Sequence, residues 1–377
     1  MAGLVAASVP VLAGTAAAQC TNKRGQPASA MTVEPWAQQK LNFTEVWPLT
    51  RGAGVKVAVV DGGVESHPQI SLTQSIDDTG KGIAPCGGHG TMVAGIIAAK
   101  DMRQQRIPFV GVAPAARLMS FKMVVDDQGD TNDTHWLARA IQDAANRGAQ
   151  VINVSSQSPD MPYLKSAVDY AQRKGALIVA AAGNIDPNKK DSEQPLYPAA
   201  YPGVLSVGAI DTSGKVTDFT VTKSNVSVLA PGQNVAGTWT GGTYISDSGT
   251  SFAAPFVSGT AALVWSYHHN LSAQQVMHRI EVTADGPAGA GSGYGTINPL
   301  RAVTAVLPEE SGQNGAQAKA GPVTIPTPKH TDPFTRNMSL GLTGGALALA
   351  GLGVAGMMIV PAGRRRNWQP GRRTIKS

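Results

Sequence analysis

The heptapeptide GTSFAAP at residues 249–255 carries a serine, Ser251, where a glycine-flanked turn runs into a long apolar segment. Taken alone, this pattern predicts only the start of a helix, because serine is a common N-cap residue. Two earlier glycine-rich segments change its meaning, AVVDGGV at 58–64 and GHGTMVAG at 88–95. Together the three segments supply Asp, His and Ser in one of the chain orders known for a nucleophilic serine triad.

Around these motifs, candidate strands and helices alternate along the chain. The β-prone segment 55–60 ends at Asp61, and helical periodicity over 136–147 and 163–174 stops each time at a glycine. This alternation implies right-handed crossovers and a mostly parallel sheet, an α/β fold. Sites in such sheets lie at the carboxyl ends of strands, where Asp61 and Asn184 fall. The other predicted strands are 117–125, 151–154, 177–182, 204–210 and 226–229.

The three motif residues have complementary chemistry. A serine hydroxyl is a weak nucleophile until a base within hydrogen-bond reach takes its proton, and that base needs an orienting acceptor. We assign Ser251 as the nucleophile, His89 as the base and Asp61 as the group that fixes the imidazole tautomer. Acyl transfer also needs donors for the developing oxyanion, and Asn184 and the Ser251 backbone N–H are the candidates.

Each of these residues also has an ordinary structural interpretation. Asp61 alone would be a turn residue or a cap, Ser251 an N-cap, and Asn184 a turn residue after a glycine. The conjunction of three motifs in the correct order, with an asparagine at a strand end, favours the catalytic interpretation.

The motifs closely resemble the subtilisin-like serine protease family, over residues 55–299. The resemblance implies a three-layer α/β/α fold and hydrolysis of protein or peptide substrates through an acyl-enzyme. It also implies that Ser155, Ser156 and Gln157 on one side, and Ala181 and Gly183 on the other, line the substrate cleft.

The chain departs from the family pattern at three places. Gly62 stands where the family commonly has Ser or Thr, and Met92 where it commonly has a second His. Ser156 and Gln157 replace a Leu-Gly pair, so we expect the edge of the cleft to differ. None of these changes removes a member of the triad.

The sequence indicates no cofactor and no metal. Asp126, Asp127, Asp130 and Asp133 cluster in one loop, but their spacing misses the EF-hand pattern, which favours a solvated loop over a calcium site. The histidines His268, His269 and His278 have no matching ligand set.

The two ends of the chain predict its location. Residues 1–18 are uncharged and end in three alanines, which indicates a secretory signal, with a buried helix as the alternative. An extension follows over 19–53, then the catalytic domain over 54–306 and a Pro-rich linker over 307–336.

Residues 338–362 are uncharged and mostly apolar, long enough for a transmembrane helix, with a buried core helix as the alternative. The basic tail 363–377 then lies in the cytoplasm and the catalytic domain outside.

The charge of the chain is concentrated in that tail. The protein has 31 basic and 25 acidic residues, a formal net charge of +6. The tail contains Arg364, Arg365, Arg366, Arg372, Arg373 and Lys376 and no acidic residue. The rest of the chain is therefore neutral, which argues against a nucleic-acid partner.

The two cysteines, Cys20 and Cys86, could form a disulfide or be unrelated. An exported domain favours the disulfide.

The overall layout resembles the mycosins, membrane-anchored subtilisin-like proteases associated with type VII secretion. The resemblance implies a membrane location, a secretion membrane complex as partner, and an extension that wraps the catalytic domain, pinned by Cys20–Cys86, without blocking it. The main alternative is a scaffold subunit of that complex in which proteolysis is secondary. An enzymatically dead binding module is a third, weaker possibility, since all four catalytic positions are present.

Overall fold

The computed structural model describes residues 27–124, 133–185, 193–287 and 289–311, and scattered helical residues between 345 and 361. The chain divides into two compact units, residues 1–312 and 313–377. Among the described residues, no helix is long and apolar enough to cross a membrane. The predicted signal 1–18 and most of the predicted linker lie outside the described ranges, and the predicted membrane segment 338–362 is described only at scattered positions.

The first unit is built on a seven-stranded sheet in the order β2-β3-β1-β4-β5-β6-β7, with every neighbouring pair parallel. The predicted parallel α/β sheet is therefore confirmed. An antiparallel hairpin, β8–β9, stands beside it. The strands are β1 Lys56–Asp61, β2 Leu72–Asp77, β3 Arg117–Lys122, β4 Val151–Val154, β5 Leu177–Ala181, β6 Leu205–Ile210, β7 Val228–Pro231, β8 Val235–Thr238 and β9 Tyr244–Asp247.

Two of these features were not predicted. Strand β2, with the sequence LTQSID, is an edge strand whose side chains are half-buried or exposed, so it lacks the apolar run of its neighbours. Strands β8 and β9, with the sequences VAGT and YISD, also lack an apolar run.

The helices of the first unit surround the sheet. They are α1 Trp36–Leu41, α2 His89–Ala98, α3 Asp133–Asn146, α4 Pro162–Arg173, α5 Thr250–Tyr267, α6 Ala273–Val282, α7 Pro299–Thr304 and α8 Pro308–Ser311. Helices α2 and α5 pack on one face of the sheet and α3 and α4 on the other. This is the predicted three-layer α/β/α arrangement.

Strand β1 shows how the sequence builds two cores at once. Its side chains alternate, with Val57 and Val59 in the cluster that includes α2 and α5, and Ala58 and Val60 in the cluster that includes α3 and α4. A strand buried on both faces is continuously apolar, as the sequence of β1 is.

The described part of the extension contributes to the first of these cores. Phe43, Val46 and Trp47 are buried against it, and Ala28 pairs its backbone with Tyr244 of β9. The described part of the extension is thus packed into the core of the domain through these side chains and is paired with its hairpin at Ala28.

The register of the sheet aligns the ends of three neighbouring strands. Val60 of β1 pairs with Val154 of β4, which pairs with Ala180 of β5. The residues that follow, Asp61 and Ser155 among them, therefore lie at the same carboxyl end of the sheet. Helix α5 begins at this same end.

Candidate active site

Asp61 and His89 form a partly buried hydrogen-bonded pair. His89 Nδ1 lies 2.9 Å from Asp61 Oδ1 and 2.8 Å from Asp61 Oδ2. The Asp61 side chain is 6% exposed and that of His89 24%, so the carboxylate is shielded while the imidazole reaches the surface. The Gly62 N–H also donates to Asp61 Oδ1 at 2.7 Å, which fixes the carboxylate. With Nδ1–H directed at Asp61, Nε2 is left as the basic nitrogen.

The approach of helix α2 to strand β1 depends on a glycine. A Cβ on Gly90 would lie 2.2 Å from the carbonyl oxygen of Gly63 and 3.1 Å from Asp61 Oδ1. Any other residue would push His89 away from Asp61. Gly90 of the GHG motif therefore allows the close approach of His89 to Asp61.

Ser251 lies in the first turn of α5, beside the histidine. The helix start that the sequence predicted in this segment is confirmed, and the helix begins at Thr250. The ring of Phe252 packs against that of His89 with centroids 5.1 Å apart. Ser251 is 7% exposed. The helix N-terminus directs backbone N–H groups and a favourable dipole to this position.

The Asn184 amide faces the same space as the Ser251 hydroxyl. The point where a Cβ of Gly249 would stand lies 3.0 Å from Ser251 Oγ and 3.4 Å from Asn184 Nδ2. Asn184 Oδ1 accepts hydrogen bonds from the Thr250 N–H at 2.9 Å and from Thr250 Oγ1 at 3.1 Å. These two bonds fix the orientation of the amide, and Nδ2 is its donor group.

Thr250 was not predicted as a site residue. Its hydroxyl also accepts the Gly183 N–H at 3.1 Å, so it ties the turn after β5 to the start of α5. The only signal in the sequence is its position next to Ser251.

Ser155 supports the Ser251 backbone. Helix α5 contains Pro255, which has no N–H to donate to the Ser251 carbonyl four residues earlier. The Ser155 hydroxyl supplies the missing donor, at 2.7 Å from the Ser251 oxygen. Ser155 Oγ accepts from Asn153 Nδ2 at 2.9 Å, and Asn153 Oδ1 accepts from Ser258 at 2.8 Å. This chain of buried polar groups links β4 to α5 beneath the nucleophile.

The other residues predicted to line the cleft lie at the carboxyl ends of β4 and β5. Ser156 is half-buried and Gln157 exposed, whereas Ala181 and Gly183 are buried. Gln157 Oε1 accepts the Asn184 N–H at 2.8 Å, so its side chain crosses from one strand end to the next.

The loop before His89 is held by hydrogen bonds from the end of strand β3. Lys122 Nζ, at the end of β3, donates to the carbonyl oxygens of Gly82 and Ala84 at 2.7 and 2.6 Å. Burial lowers the pKa of the Lys122 ammonium, and the nearby Asp77 carboxylate opposes that shift. Later in the loop, the Cys86 N–H donates to the Gly62 carbonyl at 2.6 Å, directly beside Asp61.

A second buried carboxyl lies outside the site. Asp78 is 0% exposed, and neither of its oxygens has a hydrogen-bond partner among the described residues. Burial and the neighbouring Asp143 carboxyl raise the pKa of Asp78 to about 7, opposed by the Arg139 guanidinium 3.7 Å away.

Within the described ranges, no group of three or more His, Cys, Asp or Glu side chains could hold a metal ion. The loop residues Asp126, Asp127 and Asp130 lie outside those ranges, as does Cys20.

Comparison with known proteins identifies the class to which this fold and site belong. The sequence model of the subtilase family matches residues 52–318. The chain therefore belongs to the subtilase family and is a serine endopeptidase with the subtilisin-like α/β fold.

Among its relatives, the chain is similar to mycosins over nearly its whole length. Mycosin-4 from Mycobacterium tuberculosis (strain ATCC 25618 / H37Rv) is 35% identical over 94% of this chain and 87% of its own length. The crystal structure of MycP1 from Mycobacterium smegmatis superposes with a TM-score of 0.66 at 32% identity, covering 81% of this chain and 92% of that one. A chain in the periplasmic assembly from the ESX-5 inner membrane complex gives a TM-score of 0.64 at 30% identity, covering 83% and 94%.

Proposed function

We propose that Asp61, His89 and Ser251 are the catalytic triad of a membrane-anchored endopeptidase that cleaves exported proteins. The observation that carries this proposal is the double contact of His89 Nδ1 with the Asp61 carboxylate, next to the turn of α5 that holds Ser251. General-base activation of a serine uses an imidazole that a carboxylate orients, and the Asp61–His89 pair supports that role.

In the first half of the reaction, Ser251 Oγ attacks the carbonyl carbon of the scissile peptide bond, and His89 Nε2 takes the hydroxyl proton. Asp61 accepts the Nδ1–H bond throughout and stabilises the imidazolium. Asn184 Nδ2 and the Ser251 N–H donate to the oxyanion of the tetrahedral intermediate. His89 then gives its proton to the leaving amine, and the C–N bond breaks.

In the second half, a water molecule attacks the acyl-enzyme with His89 again as base. Ser251 is released when His89 returns the proton to Oγ. The cycle needs no cofactor, and it uses only groups of this chain and water.

We propose that residues 338–362 form the membrane anchor, with the domain outside and the tail 363–377 in the cytoplasm. The lack of charge in that segment and the arginines directly after it support this topology. A Cys20–Cys86 disulfide would tie the extension to the loop beside Asp61. Its support is that Cys86 is buried and that the described chain has no free cysteine.

We propose a type VII secretion membrane complex as the partner. The likeness to mycosins and to a chain of the ESX-5 periplasmic assembly supports it. The same likeness favours a second candidate function, a scaffold subunit in which proteolysis is secondary.

Substitution of the nucleophile tests the enzymatic proposal. Ser251→Ala should lower kcat on a cleaved peptide by about 10⁶-fold, since loss of the nucleophile in a related protease has that effect. Ser213→Ala, in an exposed turn, is the matched control and should leave kcat unchanged. Full activity of Ser251→Ala would refute the triad.

Secretion in cells separates the two candidate functions. If proteolysis is required, a Ser251→Ala strain should fail to secrete as a deletion strain does. If the scaffold role suffices, the Ser251→Ala strain should secrete normally while the deletion strain fails.

A further inference from the structure

The side chain of Gln157 connects two walls of the cleft. It lies three residues beyond the end of β4, and its Oε1 accepts the Asn184 N–H, beyond the end of β5, at 2.8 Å. Gly183, just before Asn184, has a φ of +106°, a conformation that favours glycine. A Cβ there would lie 3.0 Å from Gln157 Oε1 and 2.4 Å from Leu196 Cδ1. The turn that carries Asn184 is therefore tightly enclosed, with Gln157 on one side.

Asn184 is thus held at two separate points. Thr250 holds the side-chain oxygen through two hydrogen bonds, and Gln157 holds the backbone N–H. The first contact sets the orientation of the amide, and the second fixes the backbone from which the side chain extends. An oxyanion donor is effective only when it is held at the correct distance before the reaction starts.

We propose that Gln157 is a positioning residue for the oxyanion donor Asn184 and acts through its backbone, not through contact with the substrate. The proposal rests on the assignment of Asn184 made above. Position 157 is one of the places where this chain departs from the family pattern, which commonly has a glycine there. A glycine has no side chain and could not accept the hydrogen bond from the Asn184 N–H.

A double-mutant cycle tests this role. Gln157→Met keeps the length of the side chain and removes the strong acceptor. We expect kcat to fall about tenfold with KM within about twofold, the pattern of an interaction that matters in the transition state. Gln74→Met is the matched control, because Gln74 also accepts an exposed side-chain hydrogen bond, from Arg147 at 3.2 Å on the edge strand β2, and it should leave kcat unchanged.

The Asn184→Ala background decides whether the effect passes through Asn184. Asn184→Ala alone should lower kcat by about 10²–10³. Adding Gln157→Met to it should lower kcat by less than about twofold more, because coupled residues are not additive.

The possible failures are distinguishable. If Asn184→Ala keeps wild-type kcat, the assignment of Asn184 fails. If Asn184→Ala is impaired but Gln157→Met matches wild type, the positioning role alone fails. A Gln157→Met variant with raised KM and unchanged kcat would make Gln157 a substrate contact. An equal tenfold loss in both backgrounds would also overturn the proposal.

Discussion

Two regions of this molecule bury polar groups at the carboxyl end of the same sheet. The buried groups are hydrogen-bonded to one another in the first region, whereas the second buries a carboxyl group without such partners among the described residues. Around β1, β4 and α5, the buried groups are connected: Asp61 is held by His89 and Gly62, and Ser155 by Asn153 and the Ser251 carbonyl. After β2, Asp78 is equally buried, yet its oxygens have no hydrogen-bond partner among the described residues.

The difference between Asp61 and Asp78 shows that the hydrogen-bonded buried groups are those around the proposed catalytic residues. A carboxylate in the interior is costly unless it is paired, and an unpaired one takes up a proton instead. At the site, the Asp61 carboxylate is paired with the His89 imidazole and the Gly62 N–H. At Asp78, burial and the Asp143 carboxyl raise the pKa to about 7, and the Arg139 guanidinium only partly opposes this shift.

The same substitution in both regions should give the largest contrast. Asp61→Asn preserves shape but presents the wrong partner to the imidazole, and we expect kcat to fall by about 10⁴. Asp78→Asn should leave kcat unchanged. Steady-state rates of the two variants on one peptide check this, and comparable losses would remove the distinction between the regions.

The second contrast concerns two buried serines. Ser155→Ala leaves the Ser251 carbonyl without a donor, and we expect unfolding free energy to fall by about 1–3 kcal/mol and kcat to fall about tenfold. Ser206 on β6 is also buried, but its hydroxyl has no partner among the described residues.

Ser206→Ala should therefore be neutral or slightly stabilising. Urea unfolding of both variants provides the measurement. A Ser206→Ala variant that loses as much stability as Ser155→Ala would show that burial, not the hydrogen bond to Ser251, sets the effect.

The smallest expected effect is a pH dependence from Asp78. Its folded pKa of about 7 lies above the ordinary value of 3.8, so the stability it contributes is complete below about pH 4 and lost as the pH rises through 7. Asp78→Asn should therefore raise the melting temperature at pH 8.5 by about 2–4 °C, for roughly 1 kcal/mol.

At pH 5 the same variant should gain much less than at pH 8.5. Thermal unfolding at the two pH values makes the comparison. An equal shift at both would mean that Asp78 does not titrate in this range in the folded protein.

The part of this structure that local sequence patterns encode was predictable. The buried strands β1 and β5 contain continuous apolar runs, β4 is apolar except for Asn153, and the glycine motifs mark the positions of Asp61, His89 and Ser251. Strand β2 was missed because an edge strand with polar side chains has no such run.

The supporting contacts could not be predicted because they join distant positions. Pro255 in the sequence predicts that the Ser251 carbonyl has no backbone donor within the helix. The sequence does not indicate that the Ser155 hydroxyl is the donor that replaces it. In the same way, Gln157 and Asn184 meet only because β4 and β5 are neighbours in the sheet.

Covalent labelling tests the central claim, that the Asp61–His89 pair activates Ser251, most directly. We predict that a fluorophosphonate probe modifies the wild-type protein at Ser251, located by mass spectrometry of the labelled peptide, and that His89→Ala abolishes the modification. Labelling at a different serine, or equal labelling of Ser251 in His89→Ala, would contradict the account.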